Sequence, residues 1–238
     1  NRIKEIVVSA LGRGKKKTAE PVLFQHQLND ALSPIIVELE IPGNNSSLPF
    51  SVQGFNGSPV PVGHPEYRAA NMHTAIAESI DNAQSMIKKA RTPLHKWAAT
   101  KSLPIYPDNG KMLNAYYDRR GLHFFHDIDP VTNKIIYTGD STDIVTHELG
   151  HALLDALRPD FWSVQALEIW AFHEAFGDIN AMLYLMRYDA ALEAALEETN
   201  GTMKTSNHIS RLAEEMGLTI QHYMTGQEHK GPMVELRD

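Results

Sequence analysis

One stretch limits what this chain can fold into: Thr146-His147-Glu148-Leu149-Gly150-His151-Ala152-Leu153-Leu154-Asp155. It sets an H-E-x-x-H pattern inside an apolar, helix-forming run. Residues four apart on a helix lie one turn above each other on the same face, so the imidazoles of His147 and His151 converge on a single point. Two imidazoles at that spacing suit zinc, which in a catalytic site takes three protein ligands and keeps one position for water. Zinc lowers the pKa of such a water towards about 7, and Glu148, beside the first ligand, is placed to take its proton as general base. The plain alternative is an amphipathic helix carrying two surface histidines.

A second stretch, Ala171-Phe172-His173-Glu174-Ala175-Phe176-Gly177-Asp178-Ile179-Asn180, argues against that alternative. Glu174 lies 23 residues after His151, and Asp178 follows it by four. On a helix both carboxylates share a face. Glu174 is therefore the expected third ligand. Asp178 is the expected acceptor for the second ring N–H of a ligand histidine, His147 first, which would fix its tautomer and strengthen it as a donor. Glu168 competes for the role of third ligand, but it has no acid four residues on.

Together these helices resemble the H-E-x-x-H and E-x-x-x-D helices of the gluzincin metallopeptidases, most closely the thermolysin-like branch. Asn114-Ala115-Tyr116-Tyr117 and the following Gly121-Leu122-His123-Phe124-Phe125-His126-Asp127 are similar to that family's Asn-Ala-aromatic segment and edge strand. Asp143 and Asp155 stand where the family has aspartates, and Arg211 follows Glu174 by 37 residues, the family's spacing for an arginine. The resemblance runs over residues 66–215 and is most specific over 143–178. It implies a zinc endopeptidase with one zinc per chain on His147, His151 and Glu174, with Glu148 as base. Asn114 and Ala115 would hold the substrate backbone, Ile144 would wall an apolar pocket, and Arg211 would contact a substrate carbonyl. It also favours an extracellular enzyme, and a propeptide or a C-terminal region outside this chain is left open.

Several positions depart from the family pattern. The gap from His151 to Glu174 is a few residues longer, His173 replaces an asparagine, and Gln165 stands at the spacing of a tyrosine that helps stabilise the oxyanion. Of the calcium-binding carboxylates only Asp143 has a match, and Leu185 stands where another acid is needed, which argues against calcium. The family's transition-state histidine would be His229 or fall beyond residue 238.

A formal net charge of −7 argues against nucleic acid as a main partner and leaves a peptide or protein substrate as the expected one. No apolar run approaches the roughly 20 residues that span a bilayer. The absence of cysteine excludes disulfides and thiol catalysis. Gly12-Arg13-Gly14-Lys15-Lys16-Lys17 lacks the earlier glycine of a phosphate loop and is expected to be a solvated basic loop.

Along the chain, Glu5–Val8 and Ile35–Ile41 have strand character, and residues 42–63 are rich in turn formers. Helical spacing over 66–90 puts Ala69, Met72, Ile76, Ile80, Ala83 and Ile87 in one stripe, ending at Thr92-Pro93. Residues 100–110 are expected to be irregular, with strand character returning over 113–125 and 134–137. His123 and His126 fall on opposite faces there, one partly buried and one solvated, so they are no tight metal pair. Ser141 or Thr142 is expected to cap the zinc helix, which ends at Arg158 before Pro159. A second helix over 163–186 is apolar enough to be buried on much of its circumference. A third over 190–198 stops at Asn200-Gly201, and His208 begins a fourth over 209–216.

The expectation is an α+β chain, with a strand-rich lobe over residues 1–138, a helical lobe over 139–238 and the zinc site in the cleft between them. The rival is a zinc-stabilised binding or scaffold module without turnover. A purely structural site has no use for a base beside its ligand, so Glu148 favours the enzyme.

Overall fold

The structure, a computed structural model, describes residues 23–42, 48–89, 94 and 96–226. Its strands are short and fall into three small sheets. In β1 (Phe24–Leu28) the alternation turns Phe24, His26 and Leu28 inwards, and β2 (Ile35–Leu39) pairs with it antiparallel. β3 (Phe50–Val52), β4 (Leu103–Tyr106), β5 (Ala115–Tyr117) and β6 (Leu122–Phe124) form a mixed sheet in the order β3-β4-β6-β5. The first three in that order run parallel, and β5 lies antiparallel at one edge. β7 (His126–Ile128) pairs antiparallel with β8 (Ile135–Tyr137).

Two strand expectations need correction. Residues 100–110 contain β4, because Leu103 and Ile105 alternate into the core on either side of Pro104. The run over 113–125 is a hairpin rather than one strand. Arg119 turns the chain with φ 70, and Asp118 Oδ1 accepts the amides of Arg120 and Gly121. His123 lies on β6 and His126 on β7, and both are half-buried.

α1 (Tyr67–Lys89) buries the stripe its spacing predicts: Ala69, Met72, Ile76, Ile80 and Ala83 are all inside. α2 (Thr142–Leu157) carries the H-E-x-x-H pattern and is enclosed almost all round. From Thr142 to Asp155 every residue except His151 is buried. It ends at Arg158, where Pro159 stops it, but its start is not capped as expected. Ser141 occupies the N-cap position, yet its hydroxyl donates to Asp30 Oδ2 at 3.2 Å and accepts the Ala31 amide at 3.1 Å. It pins the β1-β2 loop to the head of α2 instead.

A 3-10 turn, Phe161–Ser163, leads into α3 (Leu167–Leu185). The expected burial of this helix is not found. Only Gly177, Asn180, Ala181, Tyr184 and Leu185 are inside, while Leu167 is 75% exposed and Trp170, Phe172 and Ile179 also face solvent. Its apolar residues are spread round the helix instead of forming a stripe, so apolarity alone does not say which side is covered. The enclosed helix is α2.

α4 (Asp189–Glu198) ends as expected, with Gly201 at φ 79 donating its amide to Leu196 O at 2.7 Å. The helix expected over 209–216 starts later, as α5 (Glu214–Thr225). Asn207 Oδ1 takes the Ile209 amide into a turn, and Ala213 is left-handed with φ 58. Asp143 accepts the Ala213 amide at 2.7 Å and Asp30 accepts that of Glu215, so two acids remote in sequence satisfy the head of α5.

One apolar cluster joins these pieces, including Phe50, Met72, Ile105, Phe124, Leu149 and Tyr184, and so draws on residues both before and after position 138. Among the described residues no helix is long and apolar enough to cross a membrane. The run Glu5–Val8 and the basic loop over 12–17 lie outside the described residues.

Candidate metal centre

Two glycines set the distance between the helices that carry the centre. A Cβ on Gly150 would stand 2.7 Å from the Gly177 Cα, and one on Gly177 would stand 2.7 Å from His147 Cε1 and Nδ1. α2 and α3 therefore cross with their backbones almost in contact, closer than any side chain permits. Asn180, three residues after Gly177 on α3, donates to Thr146 O at 2.6 Å and to Ser79 Oγ at 3.1 Å, fixing α3 against α2 and α1. None of these three residues was singled out by the motif. The signal for the two glycines is a glycine inside each of two helical patterns, which marks close packing or a break.

The crossing brings one ligand atom each from His147, His151 and Glu174 to within 4.8 Å of one another. The Nε2 atoms of His147 and His151 each lie 3.6 Å from a Glu174 carboxylate oxygen. Zinc ligands at about 2.0–2.1 Å in a tetrahedron are about 3.4 Å apart, so the two imidazole-to-carboxylate separations fit that ion. Asp178 Oδ1 lies 2.8 Å from His147 Nδ1. With Nδ1 donating to Asp178, Nε2 is left directed towards Glu174. Glu168 is exposed and belongs to no such group among the described residues.

A cavity of about 560 Å³ opens over these residues. Asn114, Ala115, Ile144, Glu148 and Asp178, all proposed from sequence, line it with the three candidate ligands. His147 and Glu148 are nearly buried, whereas Glu174 reaches in from the exposed side of α3. β5 borders the cavity as an edge strand, and the Asn114 carbonyl at its head accepts the Thr138 hydroxyl at 3.0 Å.

Arg211 is not brought to the cavity. Its guanidinium is held by Glu198 Oε1 at 2.5 Å and Glu214 Oε1 at 2.8 Å, and its neighbours Leu212 and Ala213 line the cavity instead. Gln165 is exposed and outside the lining, and Leu185 is buried in the apolar core. Asp143 is fully buried, with its carboxylate engaged by the Ala213 and Ile144 amides, and burial raises its pKa. His208 pairs with Glu198 at 2.6 Å, and His229 lies outside the described residues.

The sequence marks His173 only as a departure from the family pattern and Trp170 only as an apolar residue of the second helix, and it gives no signal for Trp162, yet all three line the cavity. Burial lowers the pKa of His173, against the pull of the Asp155 and Glu174 carboxylates. The chain matches no protein-family model, no curated protein and no solved structure.

Proposed function

We propose that this chain is a zinc-dependent endopeptidase with a thermolysin-like arrangement of its active site. The observation that carries the reading is the meeting of His147, His151 and Glu174 within 4.8 Å in a cavity that also holds Glu148 and an edge strand. Zinc bound there would polarise a carbonyl and acidify a water. The residues of the chain supply the rest. Asp178 orients the His147 ring through Nδ1 and keeps its tautomer. The open edge of β5 at Ala115, together with the Asn114 side chain, pairs with an extended peptide as an added strand. Glu148 takes the proton of the attacking water and delivers it to the leaving amine.

Replacing Glu148 by Gln keeps size and shape and removes the base. With zinc supplied, the wild type should hydrolyse a peptide library and Glu148→Gln should not, while both retain the metal. A zinc-replete wild type that cleaves nothing, or a Glu148→Gln protein that cleaves equally well, would favour a zinc-holding binding module.

A further inference from the structure

Beyond His151 the cleft is built from aromatic side chains that the metal chemistry does not use. Trp162, on the 3-10 turn between α2 and α3, is 41% exposed and lines the cavity. It is nevertheless clamped. The Arg119 guanidinium lies 4.9 Å from its ring centroid, Tyr117 meets it edge-on at 5.6 Å, and His173 does so at 6.4 Å.

The clamp is anchored in the zinc helix. Asp155, fully buried one turn after His151, accepts the Tyr117 hydroxyl and Arg119 Nε, each at 2.9 Å, and Arg119 Nη2 at 2.5 Å. The same Nη2 donates to Pro159 O at 2.8 Å, at the start of the loop that carries Trp162. A buried carboxylate is tolerated when it is paired and hydrogen-bonded, and here both partners also touch the exposed ring. If the network served only to end α2, Trp162 would not need to face the cavity. A rigid, half-exposed tryptophan loses little conformational freedom on binding, which makes it an effective anchor for an apolar group.

We propose that Trp162, positioned by Arg119 and Asp155, is a specificity wall that receives a bulky aromatic or aliphatic side chain of a peptide lying along β5. Ile144 lies one turn before His147, and Asp155, which anchors Trp162 through Tyr117 and Arg119, lies one turn after His151, so Ile144 and the anchor of Trp162 flank the candidate ligands. Ile144 and Asp155 are eleven positions apart on the helix, about 16 Å or roughly five residues of extended chain. The walls therefore address different residues of the substrate, on opposite sides of the scissile bond. The peptide's path along β5 rests on the peptidase reading, but the selectivity of binding does not require turnover.

The test uses the zinc-loaded full chain carrying Glu148→Gln and dye-labelled peptides that differ by Phe or Ala at one position, scanned along the peptide by fluorescence anisotropy. At one position Phe should tighten binding roughly 10–100-fold. Adding Trp162→Ala should cut that ratio below about 3 while ratios at other positions and the zinc content stay, and Trp162→Phe should keep most of it. The proposal is overturned if no position shows a ratio that depends on Trp162, or if Trp162→Ala weakens Phe and Ala peptides equally. Selective binding without wild-type cleavage would sink the peptidase reading alone, and cleavage with a ratio indifferent to Trp162 would sink this proposal alone.

Discussion

Gly177 and His147 touch across the crossing of α2 and α3, where a Cβ on the glycine would stand 2.7 Å from the imidazole Cε1 and Nδ1. The ring is thus walled by backbone on one side and held by Asp178 at Nδ1. The first candidate ligand is positioned by the absence of a side chain as much as by its hydrogen bond.

Gly177→Ala should therefore weaken zinc binding, because the added methyl and the ring cannot share the space. Alanine favours a helix over glycine by about 1 kcal/mol, so helix content should hold while zinc affinity falls by roughly tenfold or more. Competition with a chelator of known affinity, beside far-UV circular dichroism, reads both quantities. Unchanged affinity would mean that the crossing does not place the ligand.

Asp178 acts on the same ring from its other nitrogen. Asp178→Ala should lower zinc affinity by about 10–100-fold without abolishing it. Asp178→Asn, whose amide oxygen can still accept the Nδ1 proton, should lose less. Equal affinities for both variants and wild type would remove Asp178 from the account.

A histidine outside the site should make stability depend on pH. His26 is fully buried, with Nδ1 2.7 Å from Asn71 Oδ1 and its other nitrogen bonded to the Tyr184 hydroxyl. Burial pushes its pKa from the ordinary 6.5 down to about 4, against the pull of the Asn71 hydrogen bond. The unfolded chain then binds the proton more readily, so the stability of the neutral ring is complete above about pH 6.5 and is lost as pH falls through about 4. The stability difference between wild type and His26→Gln should shrink by about 3 kcal/mol between pH 7 and pH 4 in denaturant unfolding. His147, His151 and Glu174 are the same in both proteins, so whatever they contribute cancels from the comparison. A difference that does not change with pH would refute this assignment.

What was legible in the sequence was what depends on local spacing. His147, His151, Glu174 and Asp178 follow helical periods, and a period fixes which side chains share a face. The stripe of α1 was legible for the same reason. Long-range choices were not. The sequence could not show that Gly150 and Gly177 meet, that Asp30 and Asp143 would satisfy the head of α5, or that Glu198 and Glu214 would hold Arg211 away from the cavity. α3 misled because its composition is apolar on every side, while the fold covers only the side packed on α2. Trp162 was passed over because an isolated tryptophan carries no spacing signal, and its role comes from Arg119, Tyr117 and Asp155, which only the fold assembles.

Elemental analysis of the purified full chain decides whether His147, His151 and Glu174 form one zinc site. One zinc per chain is expected in the wild type and in Glu148→Gln, with most of the metal lost in His147→Ala, His151→Ala and Glu174→Ala. A wild type that binds no zinc when it is supplied, or a Glu174→Ala protein that keeps its full complement, would contradict it.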